Sequence, residues 1–259
     1  MTQSIDDTLV GTWFAAWSRS RGYETRTEDG LRSALRQKWP ARRIPGGSGR
    51  ATLDIPMTWE HILVEPDAAA LAPALRSLEE QPDRLITVFG ETSEDLTAAG
   101  LHNAAEPERF MTVALDPEVQ DVELPLLPEG YEARVDEPVE GARRLRLYAT
   151  GDASAAPDGE EQLAGLGWVT FEGDTAVYDR IWTSPHYRRR GLGSLLMRYL
   201  TSEALSADAD LEHGLLVASP DGQKLYGHLG WTDLGPVSLW TRAEDDEAAE
   251  AEHTGTMGR

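Results

Sequence analysis

The segment of the sequence with the clearest chemical meaning is a short run of arginines and glycines between a predicted strand and a predicted helix. It reads Arg188-Arg189-Arg190-Gly191-Leu192-Gly193. Glycine permits positive φ and close approach of the backbone, so successive N–H groups can point at one spot. The N terminus of the following helix adds partial positive charge there. This pattern is typical of a nest for a phosphate or pyrophosphate.

Two other phosphate-binding loops fit this sequence less well. A Walker A loop needs a Gly-Lys-Ser or Gly-Lys-Thr triplet, and the sequence contains none. The dinucleotide-binding fingerprint needs a third Gly or Ala three residues after the second, where Leu196 stands instead. No acidic residue follows at the position expected to bind the ribose.

The charge of the chain sets the three arginines apart. The formal net charge is −21, from 45 acidic and 24 basic residues. Phosphate backbones and anionic membranes repel such a protein, so neither nucleic acid nor a membrane is an expected partner. An acidic surface favours a cationic substrate such as an amine, although acidity that only maintains solubility explains it equally well. Nearly all bases are arginine, which indicates a GC-rich, bacterial genome.

Length and composition exclude several classes of protein. The chain has 259 residues, 40% of them hydrophobic and 27% charged, which are values of a globular protein. No apolar run approaches the ~18 residues that span a bilayer, and the amino terminus has no secretory signal. The chain has no cysteine, so disulfides, thiolate zinc sites and cysteine nucleophiles are excluded. We expect no metal and a cytoplasmic location.

The clearest run of elements lies between residues 129 and 242. Strands are predicted for residues 131–135, 143–150, 163–171, 175–183, 214–218 and 231–240, and helices from residue 194 and over 222–229. The third and fourth strands form a hairpin around Glu172-Gly173-Asp174. The order indicates a mixed sheet with helices, an α/β or α+β fold.

The first 125 residues contain a similar run. Helices are predicted for residues 9–21, 29–39, 67–78 and 93–99, and strands for 59–64, 85–89 and 110–115. The order strand, proline turn, helix, strand, helix, glycine occurs around both Pro66 and Pro185. We therefore predict two copies of one fold, in residues 1–125 and 126–242, followed by an acidic solvated tail, 243–259. Trp13, Trp17, Trp39 and Trp59 fit a core or a substrate pocket.

The arginine-glycine loop and its surroundings resemble the GNAT superfamily of N-acetyltransferases. The loop matches the family pattern Arg/Gln-x-x-Gly-x-Gly/Ala. The downstream segment Leu225-Tyr226-Gly227-His228-Leu229-Gly230-Trp231 resembles the family's Leu-Tyr-x-x-x-Gly-Phe ending. The match covers residues 129–242, under half of the chain. It implies a GNAT-like fold, two copies in tandem, with a degenerate first copy that has Pro66-Asp67 where the basic loop should be.

The resemblance implies roles for individual residues. The pyrophosphate of acetyl-CoA or another acyl-CoA, used as a co-substrate, would lie against Arg188, Arg189, Arg190, Gly191, Leu192, Gly193 and Ser194. Its pantetheine arm would enter a gap where the strand ending in Ile181, Trp182 and Thr183 splays from the next strand. Backbone groups left unpaired there can bind the amides of the arm.

Two catalytic residues are proposed on the same basis. Tyr226 matches the tyrosine that protonates the leaving thiolate in many family members, although a core tyrosine would fit the same helix. Asp179 is the best candidate for a general base, and a solvent-facing aspartate is an equal alternative. Glu172 and His186 are weaker candidates. Ser219 or Asp221 stands where the family often has asparagine.

The leading hypothesis is therefore an acetyl-CoA-dependent N-acetyltransferase. It would transfer an acetyl or similar acyl group to the amine of a small molecule by direct attack in a ternary complex. A non-catalytic acyl-CoA-binding or regulatory module, or other acyl-CoA chemistry such as decarboxylation, remains an alternative. The family usually places two helices after its first strand, and here the predicted helices 9–21 and 29–39 are available for that place. The acceptor, the acyl chain and the oligomeric state stay open.

Overall fold

The computed structural model describes residues 4–28, 30–37, 57–116, 123–156 and 160–242. These residues form two compact units. The larger unit takes its residues from 1–22 and 107–237, and the smaller unit from 23–106 and 238–259. The predicted tail 243–259 and Trp39 lie outside the described residues. None of the described helices is long and apolar enough to cross a membrane.

The helices and strands follow one another along the chain in a mixed α/β order. The first half contains α1 Asp7–Arg21, β1 Glu24–Glu28, β2 Leu31–Gln37, β3 Met57–Val64, α2 Ala68–Glu80, β4 Leu85–Phe89, β5 His102–Asn103 and β6 Glu108–Ala114. The second half contains β7 Tyr131–Asp136, β8 Ala142–Ala149, β9 Gln162–Glu172, β10 Thr175–Thr183, α3 Leu192–Ala207, β11 His213–Ala218, α4 Pro220–His228 and β12 Thr232–Thr241.

The sheet of the larger unit runs in the order β12-β6-β11-β10-β9-β8-β7. Its neighbours are antiparallel except β10 and β11, which are parallel because α3 crosses between them. Helix α3 lies close to one face through two glycines of β9. A Cβ atom on Gly165 would lie 2.9 Å from Leu196, and one on Gly167 would lie 2.7 Å from Leu200.

Helix α1 belongs to the larger unit and packs against β9 and β10. Its N terminus is capped by Asp6, whose carboxylate accepts from the N–H of Thr8. Trp13 and Trp17 are both buried and stack with ring centroids 5.0 Å apart. The sequence allowed two roles for these tryptophans, in the core or in a substrate pocket. In the structure they fill the core.

The smaller unit repeats part of the same topology. Its strands run in the order β1-β2-β3-β4, with β3 and β4 parallel and joined through α2. The neighbours β2 and β3 are antiparallel, as β9 and β10 are in the larger unit. Buried leucines of α2 pack on this sheet: Leu71 and Leu78. The predicted mixed α/β fold is confirmed, and the repeated strand–helix–strand order agrees with a tandem arrangement.

Two predicted helices are wrong. Residues 31–37 form strand β2 because residues 32–37 pair with β3, and the first residues of the strand alternate between buried and half-buried positions. The predicted helix 93–99 consists of bends and turns. There the side chain of Asp95 accepts from the N–H of Ala98, and Leu96 alone is buried, so a longer helix would gain little. The remaining predicted elements are present, each within a few residues.

The compact units differ from the predicted division at residue 125. Helix α1 contributes to the larger unit because it packs on β9 and β10. Strand β6 does so because it pairs with β11 and with the first half of β12. The residues of β12 after Val237 belong to the smaller unit, because the end of β12 pairs with β5 of that unit.

Candidate functional site

The arginine-glycine loop begins where β10 ends. The chain passes through a single 3-10 turn, Pro185–Tyr187, in which Tyr187 is buried. The Tyr187 hydroxyl donates to Oε1 of Gln162 over 3.0 Å and accepts from the N–H of Ala155 over 2.7 Å. These contacts hold the entry to the loop, so the residues that follow start from a fixed position.

Helix α3 starts at this loop without a side-chain cap. Arg189 and Gly191 both have positive φ, 62° and 79°. Gly191 is the N-cap residue, and among the described residues no side chain hydrogen-bonds to the first turn. The first N–H groups of a helix have no partner within the helix, and here none is supplied by a cap. The backbone therefore presents free donors and the positive end of the helix dipole outward.

The three loop arginines are exposed and unpaired. None of Arg188, Arg189 and Arg190 makes an ion pair with a described carboxylate. Arg188 donates weakly to the carbonyl of Thr183 over 3.4 Å, and Arg190 lies 5.4 Å above the ring of Tyr187. An uncompensated charge of three arginines in a chain of net charge −21 is the arrangement that an anionic ligand requires.

The strands on either side of α3 separate toward the loop. β10 and β11 pair at only three positions, the last being Val177 with Leu215. On its other side β11 pairs with β6 as far as Ala218. A β-bulge in β10 places Arg180 and Ile181 opposite the single residue Gly167 of β9. The splay between these strands is thus present, and it leaves backbone groups of β10 and β11 without a partner strand.

Both features are missing from the described residues of the smaller unit. β3 and β4 pair at five positions, up to Val64 with Phe89, where α2 is about to begin. The N terminus of α2 is capped by its own Asp67, which accepts from the N–H of Ala70 over 2.9 Å. A carboxylate therefore occupies the place at which an anion would bind, and no gap adjoins it.

Tyr226 lies on α4 inside the core of the larger unit. It is 6% exposed, and its ring is 5.9 Å from that of Trp231. Burial raises the pKa of Tyr226 well above its ordinary value, and the Asp179 carboxylate raises it further. Among the described residues its hydroxyl has no hydrogen-bond partner, and the oxygen is not fully enclosed. Tyr226 therefore holds its proton at neutral pH and can donate it to a ligand.

Asp179 is not a free carboxylate. Its two oxygens accept from Nε and a terminal nitrogen of Arg21, each over 2.7 Å. One of them also accepts from the backbone N–H of Arg180 over 2.8 Å. Nothing in the sequence indicates Arg21, since it lies 158 residues from Asp179 and belongs to no motif.

The other base candidates lie elsewhere. Glu172 pairs with Arg19 over 2.5 Å, at the hairpin end of β9 opposite to the loop. His186 is exposed. Ser219 caps α4 through the N–H of Gly222, and Asp221 is exposed in the first turn of that helix. Within the described residues no group of three His, Asp or Glu side chains is placed to bind a metal ion.

Comparison with known proteins agrees with this geometry. The family model of the acetyltransferase (GNAT) domain matches residues 153–233, which include the loop, the splayed strands and Tyr226. Residues 153–233 of this chain therefore contain an acetyltransferase (GNAT) domain. No curated protein matches the sequence.

Several solved structures share the fold over most of the chain. A GCN5-related N-acetyltransferase from Kribbella flavida is 14% identical, with a TM-score of 0.58 over 95% of this chain and 99% of that one. A tandem GNAT protein from the clavulanic acid biosynthesis pathway is 18% identical, with a TM-score of 0.50 over 91% and 95%. A conserved protein of unknown function from Staphylococcus epidermidis is 11% identical, with a TM-score of 0.52 over 86% and 95%. At these identities the likeness concerns the fold.

Proposed function

We propose that the larger unit transfers an acetyl or similar acyl group from acyl-CoA to the amine of a small molecule. The observation that supports this most strongly is the gap between β10 and β11, which leads to the uncapped start of α3. An extended chain with amide groups and a diphosphate at one end has the shape and charge for this place. The GNAT domain matched by residues 153–233 supports acyl transfer in general, and the residue roles below are part of the proposal.

The diphosphate would bind to residues 188–194. Backbone N–H groups at the start of α3 would donate to it, and the three unpaired arginines would neutralise its charge. Gly193 also lets α4 approach α3, because a Cβ atom there would lie 3.0 Å from the side chain of Leu225. The pantetheine arm would follow Ile181, Trp182 and Thr183, beyond the point where β10 pairs with β11.

The chemical step would be direct attack in a ternary complex. The neutral amine forms a C–N bond with the thioester carbonyl, and the tetrahedral oxyanion accepts from backbone N–H groups at 181–183. The C–S bond then breaks, and Tyr226 donates its proton to the departing thiolate. The proton lost from the attacking amine passes to a base or to water.

The identity of that base stays a prediction. Asp179 is the best candidate that the sequence offers, yet its oxygens already accept three hydrogen bonds from Arg21 and the Arg180 backbone. This arrangement favours a positioning role, in which Asp179 holds α1 and the β10 bulge together. The same observation gives some support to the alternative of a non-catalytic acyl-CoA-binding module.

A panel of amines with acetyl-CoA tests the proposal. Free thiol is measured after addition of each amine, and the product is identified by mass. Transfer to one amine class above the hydrolysis background supports an acyltransferase. Thermal stabilisation by CoA without transfer to any amine would favour the binding module. Loss of CO₂ from malonyl-CoA would instead indicate decarboxylation.

A further inference from the structure

Strand β7 is an edge of the larger sheet, and among the described residues only β8 pairs with it. The carbonyl of Gly130, just before β7, accepts from the N–H of Thr150, just after β8, over 2.8 Å. Between β8 and β9, the carbonyl of Gly141 accepts from the N–H of Phe171, also over 2.8 Å. Residues of an antiparallel strand direct their backbone groups alternately to one neighbour and to the other. Both bonds therefore give the same result: even-numbered residues of β7 face β8, and odd-numbered residues face the open side.

The open side of β7 carries backbone groups that can bind another strand. The N–H of Tyr131 donates to the carbonyl of Pro128 over 3.1 Å. Ala133 and Val135 have no backbone partner on this side among the described residues. A strand edge with such groups is a template for pairing with a strand of another chain.

The side chains of β7 form an apolar row and a charged row. Tyr131, Ala133 and Val135 are half-buried and pack against the core of the larger unit. Glu132 and Arg134 project from the opposite face, because side chains alternate along a strand. These two form an ion pair over 3.1 Å, and their side chains are 58% and 46% exposed. A strand placed beside β7 would thus extend the apolar row on one face and meet charges on the other.

The charges favour one register between two copies of β7. When two copies pair antiparallel about a twofold axis, their outward-facing, odd-numbered residues lie opposite one another. In the central register Ala133 lies opposite Ala133 of the second copy, and each Glu132 faces Arg134 of the other chain. On the apolar face, each Tyr131 then faces Val135. A shift of two residues either way sets Glu132 opposite Glu132 or Arg134 opposite Arg134, and like charges placed opposite one another are destabilising.

We propose that two copies of this chain associate through β7, in antiparallel pairing centred on Ala133. Charged side chains on an edge strand commonly prevent pairing. Here they are arranged to match in the central register and to repel in its two neighbours, so they select one partner and one register. The inference is independent of the proposed function and holds whether or not the protein transfers acyl groups.

Strand β1, the edge of the smaller sheet, lacks this combination. Its residues, Glu24–Glu28, include no apolar side chain, and all of them except Arg26 are exposed. Pairing of two copies through β1 would therefore bury little apolar surface. β1 thus provides a control edge for the experiment on β7.

Sedimentation velocity of the full-length protein between about 1 and 200 μM measures this association. Salt at about 150 mM screens the repulsion between two chains of net charge −21. We expect a reversible equilibrium of monomer and dimer, with a Kd on the order of 10 μM, because the pairing strand is short. A protein that stays monomeric over the whole range would overturn the proposal.

Exchange of the two charges tests the register. Arg134→Glu sets acidic groups opposite one another in all three registers, and it should raise the Kd of the dimer at least about tenfold. Glu132→Arg together with Arg134→Glu sets opposite charges face to face again in the central register, and should restore the dimer. Arg26→Glu makes the same charge change on β1 and should leave the Kd unchanged. Equal effects of Arg134→Glu and Arg26→Glu, or no recovery in the double variant, would contradict the proposal.

Amide hydrogen exchange gives a second readout that needs no substitution. The amides of Ala133 and Val135 should exchange at least about tenfold more slowly above the Kd than below it, because pairing covers them. The amides of Glu132 and Arg134 face β8 and should be protected at every concentration. Exchange at Ala133 and Val135 that does not change with protein concentration would show that β7 is not the interface.

Discussion

Arg21, the last residue of α1, holds Asp179 of β10 with two hydrogen bonds of 2.7 Å. Both side chains are largely buried, with 18% and 17% of their area exposed. The pair fixes the end of α1 against the strand next to its bulge. Asp179 is also close enough for its charge to raise the pKa of Tyr226. Asp179 therefore interacts both with Arg21 at the end of α1 and, through its charge, with Tyr226 in the core.

The first prediction concerns the role of Asp179. If it positions the bulge, Asp179→Asn and Arg21→Gln should lower kcat/KM by similar factors and should each lower the free energy of unfolding by about 3 kcal/mol, since each removes one member of a largely buried ion pair. Urea unfolding and steady-state kinetics measure both effects. A general base predicts a different result: Asp179→Asn would then lose at least about 100-fold more activity than Arg21→Gln, and the acid limb of the pH profile would disappear.

The second prediction concerns the loop. Gly191 and Gly173 both have positive φ, 79° and 57°, and a Cβ atom on either would meet nothing within 4 Å. Alanine at either position should therefore cost a similar ~1 kcal/mol of stability. Gly191→Ala should in addition weaken CoA binding at least about tenfold, because it moves the donors at the start of α3. Gly173→Ala, in the β9–β10 turn, should bind CoA normally. Equal CoA affinities of the two variants would exclude the loop as the site.

The third prediction concerns the proposed acid. Tyr226→Phe should reduce kcat about 100-fold and leave the dissociation constant of CoA unchanged. Tyr178→Phe is the matched control, since Tyr178 is also buried and packs edge-on against Trp231 at 5.3 Å. Its hydroxyl bonds to Thr201 over 3.0 Å, so its loss should cost about 1 kcal/mol of stability and little activity. If both variants lose the same activity, Tyr226 acts through packing.

The fourth prediction concerns His61 of the smaller unit. It is buried between Ser33 and Ser77, with Nδ1 2.7 Å and Nε2 2.6 Å from their hydroxyl oxygens. Burial, followed by the charges of Arg84 and Arg26, lowers the pKa of His61 to about 4. As the pH falls, His61 therefore becomes protonated in the unfolded chain before it does so in the folded protein. The contribution of neutral His61 to the free energy of unfolding is fully present above pH 6.5 and is lost as the pH falls toward about 4.

Urea midpoints between pH 7.5 and 4.5 measure this effect. His61→Gln should remove a decline of at most about 3 kcal/mol over that range. His186→Gln, at an exposed position, should keep the full decline. A wild-type profile that matches that of His61→Gln would show that His61 does not titrate in this range.

Local sequence patterns predicted those parts of the fold that depend on neighbouring residues. The strand β10, the loop and α3 follow directly from the alternation, the glycines and the helical spacing of leucines. The second predicted helix fails because strand β2 is set by its pairing with β3, which sequence periodicity does not report. The gap between β10 and β11 was expected from family resemblance and not from any local pattern.

The candidate site was predicted in part for the same reason. Residues 188–194 and Tyr226 lie in short motifs, so their types and spacing were informative. The partners Arg21 and Asp179 are brought together by packing of α1 on the sheet, across a sequence separation of 158 residues. The two arginines over the ring of Trp168, Arg144 and Arg180, come from two different strands, β8 and β10, and nothing in their spacing indicates that they share one ring.

Titration of two related ligands tests the central claim most directly. CoA is this arm joined through a diphosphate to 3′-phosphoadenosine, and pantetheine lacks both the diphosphate and the nucleotide. Calorimetry at low salt should show CoA binding at least about 100-fold more tightly than pantetheine, since charge-assisted bonds from the start of α3 and its arginines act on phosphate groups that pantetheine does not carry. Equal affinities for the two ligands, or no heat from CoA at millimolar concentration, would contradict the account.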